Sequence, residues 1–424
     1  MQLSFMPQMN PPMPIPFALP QLTAAARQYG TPLWCYDAAT IKARIAQLQG
    51  FDVVRYAQKA SSNLSILRLI REAGVQVDAV SLGEIERALL AGFSPAGDPA
   101  GIVFTCDLFD QATLQRVVEL KVEVNAGSID MLRQLGQRSP GHRVWLRINP
   151  GFGHGHSRKT NTGGENSKHG IWHQQMGEAL AVIRQYGLHL VGLHMHIGSG
   201  VDYDHLEQVG AAMVAAVKAL DHDIEAFSIG GGLSTPYRAD DEPVDVQRYA
   251  NAWRQAREQI EAYLGHGVRM EIEPGRFLLA ESGCLVAEVR AVKTAGNHHF
   301  VLADTGFNDL MRPAMYGAYH AMTLLDGNGQ PLERALQPTV VGGPLCESGD
   351  IFTQDDEALT PHLLPRAEVG DLLVIHDTGA YGASMSSNYN SRPLLPEVLF
   401  ENGTTHLIRR RQPLTDLLQL EIGL

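Results

Sequence analysis

Basic residues are scarce in this 424-residue chain: 34 Lys and Arg stand against 46 Asp and Glu, and the formal charge of -12 leaves no electrostatic footprint for nucleic acid or anionic lipid. Cysteine is scarcer still. Cys35, Cys106, Cys284 and Cys346 lie far apart with no C-x-x-C pair, which argues against a disulfide-stapled secreted scaffold and reads as reduced thiols. No apolar run approaches membrane-spanning length, and no Lys or Arg precedes Arg27, so the basic start of a signal peptide is missing. These absences favour small-molecule chemistry in the cytoplasm. The Met- and Pro-rich residues 1–20 are expected to form a poorly ordered tail.

What the chain does have is length and pattern. With 44% hydrophobic residues it can bury a large core and exceeds one compact domain. Short Val/Ile-rich runs at 53–57, 75–80, 101–105, 122–126, 143–148, 188–194, 224–229 and 268–272 alternate with helical patterns, as in Leu206, Val209, Met213, Val217 and Leu220. Eight such runs are the number at which a β/α barrel closes. Beyond Gly283 the chain turns to strand-like stretches at 284–292, 299–303 and 371–376 without long amphipathic helices, and an apparent strand at 32–36 stands outside the barrel count. The expected architecture is a (β/α)8 TIM-like barrel over 50–280 and a β-sandwich or β-barrel domain over 281–424, with the N-terminal segment 21–49 packing on the latter.

Catalytic groups of a β/α barrel gather at the C-terminal ends of its strands, and the unusual residues fall there. Lys59 follows the first run; His196, Gly198 and Ser199 follow the sixth; Gly230-Gly231-Gly232 follows the seventh; Glu273-Pro274-Gly275-Arg276 follows the eighth. A lysine entering an apolar barrel mouth can have its amine pKa lowered and form a Schiff base with an aldehyde, although a single lysine is more often a solvated surface group. Three glycines after a strand let a backbone approach a phosphate, although such a triplet is equally a tight turn. A carboxylate at a strand end needs a cationic partner: either a pyridinium nitrogen or a neighbour such as Arg276. Alternation would put His194 and His196 on one face, yet no carboxylate or cysteine at ligand spacing accompanies them, which disfavours a metal. An imidazole stacked on a cofactor ring fits better.

The polar segment 151–170, with His154, His156, Lys159, Lys168 and His169, has the length of a functional loop and is expected to act as a lid. Lys168 is a competing Schiff-base candidate, ranked below Lys59 because it lies within a loop. In the β domain, Arg312 to Tyr316, Gly343 to Asp350 and Asp377 to Ala383 combine an arginine, a thiol, a carboxylate and a tyrosine in glycine-rich turns, as a second wall of one site would.

Together these motifs resemble, in family order and over nearly the whole chain, the alanine-racemase-like pyridoxal-phosphate enzymes, and within them the diaminopimelate, ornithine and arginine decarboxylases. The resemblance implies pyridoxal 5'-phosphate as cofactor, Lys59 as its Schiff-base lysine, His196 stacked on its ring, and Glu273 on its pyridine nitrogen. It implies Ser199, Gly230, Gly231, Gly232, Gly275, Arg276 and Tyr381 around the phosphate. Arg276, Arg312, Tyr316, Glu347 and Tyr381 would hold substrate. Cys346 would be the proton donor, reaching the site with Glu347 from the other subunit of a homodimer. An arginine and a carboxylate suit a substrate whose far end carries both charges, so Arg312 and Glu347 point to decarboxylation of meso-2,6-diaminopimelate to L-lysine. Two local departures are Ser61, where the common motif has asparagine, and the histidine-rich loop 151–170. The competing readings are a decarboxylase of ornithine, arginine or D-lysine, and a catalytically silent regulatory relative, which would be expected to have lost Lys59 or Cys346.

Overall fold

The computed structural model describes residues 15–153, 162–198, 200, 202–355 and 357–423. Ser199, His154, His156 and Lys159 lie outside the described residues. In chain order the strands are β1 (Leu33–Asp37), β2 (Val53–Ala57), β3 (Gln76–Ala79), β4 (Ile102–Cys106), β5 (Glu123–Ala126), β6 (Arg143–Asn149), β7 (Ile171–Trp172), β8 (His189–His194), β9 (Ala226–Ser228) and β10 (Arg269–Ile272). They continue as β11 (Gly283–Ala295), β12 (His298–Ala303), β13 (Met322–Leu325), β14 (Leu336–Gly342), β15 (His362–Pro365), β16 (Leu372–Ile375), β17 (Glu397–Glu401) and β18 (Thr404–Arg409). The chain divides into two compact units: one takes in Lys42–Ser234 and Pro243–Leu278, the other the residues up to Ile41, Thr235–Glu242 and everything from Leu279 on.

The first unit is a closed parallel barrel. Its strands run β5-β4-β3-β2-β10-β9-β8-β6, and pairing of β5 with β6 closes the ring, with the two-residue β7 attached to β6. Each of the eight apolar runs holds one barrel strand. The helix Tyr203–Leu220 shows how the pattern builds the outer layer: Asp202 caps its first turn, and Leu206, Val209, Met213, Val217 and Leu220 are all buried. Inside, alternate strand residues meet in polar storeys. Arg55 on β2 bonds Glu271 on β10 at 2.6 Å, both about 1% exposed, and one residue pair further along come Glu273, His194 and Ser228. Burying so much charge is tolerable only because each of these groups meets a partner on another barrel strand.

The second unit is a nine-stranded mixed sheet in the order β15-β14-β12-β11-β1-β17-β18, with β16 pairing both β11 and β13. The N-terminal β1 lies inside it, antiparallel to β11 with Cys35 opposite Cys284, and parallel to β17 with Cys35 opposite Val398. Two findings differ from the sequence reading. Within the segment expected to be a poorly ordered tail, Phe17 is buried against Phe400 with ring centroids 5.5 Å apart and a helix begins at Leu19. Thr235–Glu242 clusters with the sheet unit and not with the barrel that flanks it in sequence, an excursion that carries no hydropathy signature.

Candidate active site

Lys59 sits in a 3-10 turn, Gln58–Ala60, that begins where β2 ends. The fully buried Tyr56 locks that turn: its hydroxyl donates to the Ser61 carbonyl at 2.8 Å and accepts from the Ser61 N–H at 2.9 Å. The Lys59 side chain is exposed, and its charge bears on His196, Asp78 and Glu84. Glu84 is committed elsewhere, accepting from the Val80 N–H at 2.8 Å while Ser81, the N-cap of the helix Leu82–Leu90, accepts from the Glu84 N–H.

Glu273 lies one residue past β10, and the Ala57 N–H donates to the Pro274 carbonyl at 3.1 Å, so the ends of β2 and β10 are tied together. Its carboxylate is gripped from two neighbouring strands: His194 Nε2 donates to Oε2 at 2.8 Å, and the Ser228 hydroxyl donates to Oε1 at 2.7 Å. Burial alone would push the Glu273 pKa up, but His194 and Ser228 outweigh it and hold the carboxyl below the usual carboxylate range. The partners in view are thus a histidine and a serine. Ser228 lies inside the seventh apolar run and carries no sequence signal of its own for this role.

β8 ends at His194, so strand alternation does not carry on to His196. The backbone turns there, the Thr162 hydroxyl donates to the His196 carbonyl at 2.9 Å, and the two imidazoles part: His194 goes to Glu273, while His196 packs against Gly230. Burial first, then the charges of Arg147, Lys59 and His194, push the His196 pKa well below its ordinary value, so its ring is neutral at pH 7. Asp78, on β3, moves the other way, raised by burial and by the nearby Glu273.

The glycine triplet is close-packed. A Cβ on Gly230 would come within 2.5 Å of the His196 Cβ, one on Gly231 within 2.6 Å of the Glu273 carbonyl, and one on Gly232, at φ +115°, within 2.8 Å of the Gly198 carbonyl. Among the described residues the N–H groups of Gly231 and Gly232 make no hydrogen bond. A recess beside them is lined by Gly198, Gly200, Gly231 and Gly232. Unengaged amides in a cradle that only glycine can form suit a phosphate, and a neutral imidazole whose buried Nδ1 has no partner suits the face of a ring. With an ionised buried carboxylate and an exposed lysine at adjacent strand ends, these residues fit a phosphate-bearing aromatic aldehyde.

The barrel unit thus holds Lys59, His196, Gly230, Gly231, Gly232, Glu273, Gly275 and Arg276; the sheet unit holds Arg312, Tyr316, Cys346, Glu347 and Tyr381. Arg312 opens the helix Arg312–Tyr316 and is buried, whereas Tyr316 is half-buried. Cys346 and Glu347 are exposed on a loop anchored by the buried Asp350, whose carboxylate accepts from the N–H groups of Leu345 and Phe307, each at 2.7 Å. Tyr381 is half-buried and adopts φ +58° in a loop fastened to β11 by the Thr378 N–H on the Gly283 carbonyl at 2.9 Å. Among the described residues no group of three His, Cys, Asp or Glu side chains could hold a metal ion.

Comparison with known proteins agrees with this geometry. The family described as "Pyridoxal-dependent decarboxylase, pyridoxal binding domain" matches residues 39–280. Diaminopimelate decarboxylase of Escherichia coli (strain K12) is 64% identical over 397 residues, 93% of this chain and 94% of the relative. A crystal structure of a diaminopimelate decarboxylase superposes with a TM-score of 0.92 at 62% identity, covering 94% of this chain and 95% of the other. That of Helicobacter pylori, complexed with L-lysine, gives 0.85 at 32% identity over 94% and 98%. Agreement that runs through both units, and not only through the barrel, means that the chain belongs to the diaminopimelate decarboxylase branch of the pyridoxal-dependent decarboxylases.

Proposed function

We propose that the protein removes one carboxylate from meso-2,6-diaminopimelate to give L-lysine and CO2, the last step of lysine formation. The observation that carries this reading is Glu273, buried yet held ionised by His194 and Ser228 at the strand end beside that of Lys59. Such a carboxylate is what keeps a proton on a ring nitrogen. Pyridoxal 5'-phosphate, when bound, supplies an aldehyde carbon that captures amines and a protonated ring that accepts the electron pair released as CO2 departs.

The chain's own groups then divide the work. Lys59 would hold the aldehyde through its amine and release it to the substrate amine. His196, being neutral, would face the ring without repelling its positive charge. Gly230, Gly231, Gly232, Gly275, Ser199, Arg276 and Tyr381 bind the phosphate and its surroundings. Arg312 takes the carboxylate that remains on the product, Glu347 the amine beside it, and Tyr316 lines the same end. Cys346 would supply the proton for the carbon from which CO2 departs.

Cys346 and Glu347 act across a homodimer interface, for which their exposure on a firmly anchored loop is suited. No helix among the described residues is long and apolar enough to cross a membrane. The free cysteines support a cytoplasmic setting. The test is to load the purified protein with pyridoxal phosphate and follow CO2 and amine release from meso-diaminopimelate, ornithine, arginine and D-lysine in parallel. Lysine from diaminopimelate alone supports the reading. Preference for another amino acid moves the substrate, and no turnover with any of them refutes the assignment as an enzyme.

A further inference from the structure

Arg312 does not stand alone in the sheet unit. Its Nη1 donates to His320 Nε2 at 2.8 Å, and His320 Nδ1 meets the backbone carbonyl of His376 at 2.8 Å. A guanidinium can only donate and a carbonyl can only accept, so the two partners together assign His320 as the neutral tautomer with hydrogen on Nδ1. The contact therefore aligns the guanidinium without cancelling its charge. Tyr237, from the strip that leaves the barrel, completes the frame: its ring lies 4.6 Å from the Arg312 guanidinium and meets His320 edge-on, with centroids 5.4 Å apart at 81°. His320 is fully buried and Arg312 is 6% exposed, so the fork is held from one edge and one face with little room to swing. The short helix explains the arrangement, since Gly317 at φ +60° ends it after five residues and turns the chain so that residue 320 comes back beside residue 312.

We propose that His320 and Tyr237 are positioning residues that hold the Arg312 guanidinium in the orientation needed to bind the carboxylate retained on the product, and so set the enzyme's preference for ligands that carry it. This rests on the reading of Arg312 as the carboxylate clamp. It also accounts for why Thr235–Glu242 joins the sheet unit: the strip delivers the aromatic face that Arg312 packs on.

The experiment uses the holoenzyme and two competitive ligands of equal chain length, L-lysine, which keeps the carboxylate, and cadaverine, which lacks it. In His320→Leu the KM for diaminopimelate and the Ki for lysine are expected to rise about tenfold to a hundredfold, the range of a lost hydrogen bond to a charged group, while kcat and the Ki for cadaverine stay within about twofold. His320→Gln, whose amide can accept from Arg312 and donate to the carbonyl, recovers most of the loss. Tyr237→Leu weakens lysine by about threefold and Tyr237→Phe does not, because the ring face is what counts. Equal weakening of lysine and cadaverine, or an unchanged KM in folded His320→Leu, overturns the proposal. Should that variant fail to fold, the Tyr237 pair decides, and identical lysine affinities in Leu and Phe overturn it. Wild-type enzyme that makes no lysine from diaminopimelate refutes the parent reading instead.

Discussion

Replacing Ser228 with alanine deletes one hydroxyl, 2% exposed as a residue, that donates to Glu273 Oε1 at 2.7 Å and accepts from the Gly230 N–H at 3.2 Å. A hydrogen bond to a charged acceptor contributes about 1.5–3 kcal/mol, so the Glu273 pKa should rise by about one to two units. Because the carboxyl starts below the usual carboxylate range, it stays ionised at pH 7, and the loss appears as lower stability. The sign follows from linkage: a depressed pKa stabilises the fold above the unfolded pKa, and this stabilisation is lost as pH falls through the folded one. At pH 7 Ser228→Ala should therefore lower the unfolding free energy of the apoenzyme by about 2 kcal/mol. Urea titration reads this through tryptophan fluorescence, since Trp145, Trp172 and Trp253 lie in the barrel unit and only Trp34 in the other. With Glu273→Gln as background the acceptor is neutral, and the cost of losing the hydroxyl should shrink to about 1 kcal/mol. Equal costs in the two backgrounds would refute the reasoning, because the serine would then act through shape and not through the charge.

Four further outcomes are expected. Lys59→Ala loses the visible absorbance of a lysine-bound cofactor, and its turnover falls by at least about a hundredfold in a steady-state assay. Cys346→Ala keeps that absorbance and loses about 10²–10⁴-fold in turnover; mixing it with Lys59→Ala restores up to about a quarter of wild-type activity if each site draws on both subunits of a dimer, and none if it does not. Gly232→Ala, at φ +115° and with 2.8 Å to the Gly198 carbonyl, weakens pyridoxal-phosphate binding, as measured by absorbance titration. Burial pushes His376 down to about 4, so on acidification the unfolded chain takes up its proton first, and stability falls by about 3 kcal/mol between pH 6.5 and 4. His376→Gln should flatten that slope in denaturation curves taken across the window.

The barrel was legible because each strand is a compact apolar run set apart by an amphipathic helix; 53–57 needed no adjustment, and 224–229 shrank to Ala226–Ser228. Glu273 stood out because a charged residue directly after such a run is expensive without a partner, and Lys59 because unusual residues also stood at the other strand ends. Their partners were illegible for a physical reason: Glu273, His194 and Ser228 come from three strands far apart in sequence, brought side by side only when β8, β9 and β10 align with His194 opposite Ser228. Counting alternate residues back from adjacent strand ends would have flagged Ser228. His320 escaped notice for a similar reason, since its link to Arg312 depends on a turn at Gly317 that no periodicity announces.

The place of β1 bears on how the chain is made. Leu33, Trp34, Cys35 and Tyr36, all buried in the finished sheet, leave the ribosome early, yet Cys35 must wait for Cys284 on one side and Val398 on the other. At ordinary elongation rates of about 5–20 residues per second, that interval lasts roughly tens of seconds, during which the barrel strands emerge in order and can pair with their neighbours. A sticky strand with both edges open is thus kept unsatisfied through most of translation. Chaperone dependence should concentrate in this N-terminal segment, and transferring it to the C-terminus by circular permutation should relieve that dependence while leaving the finished sheet the same.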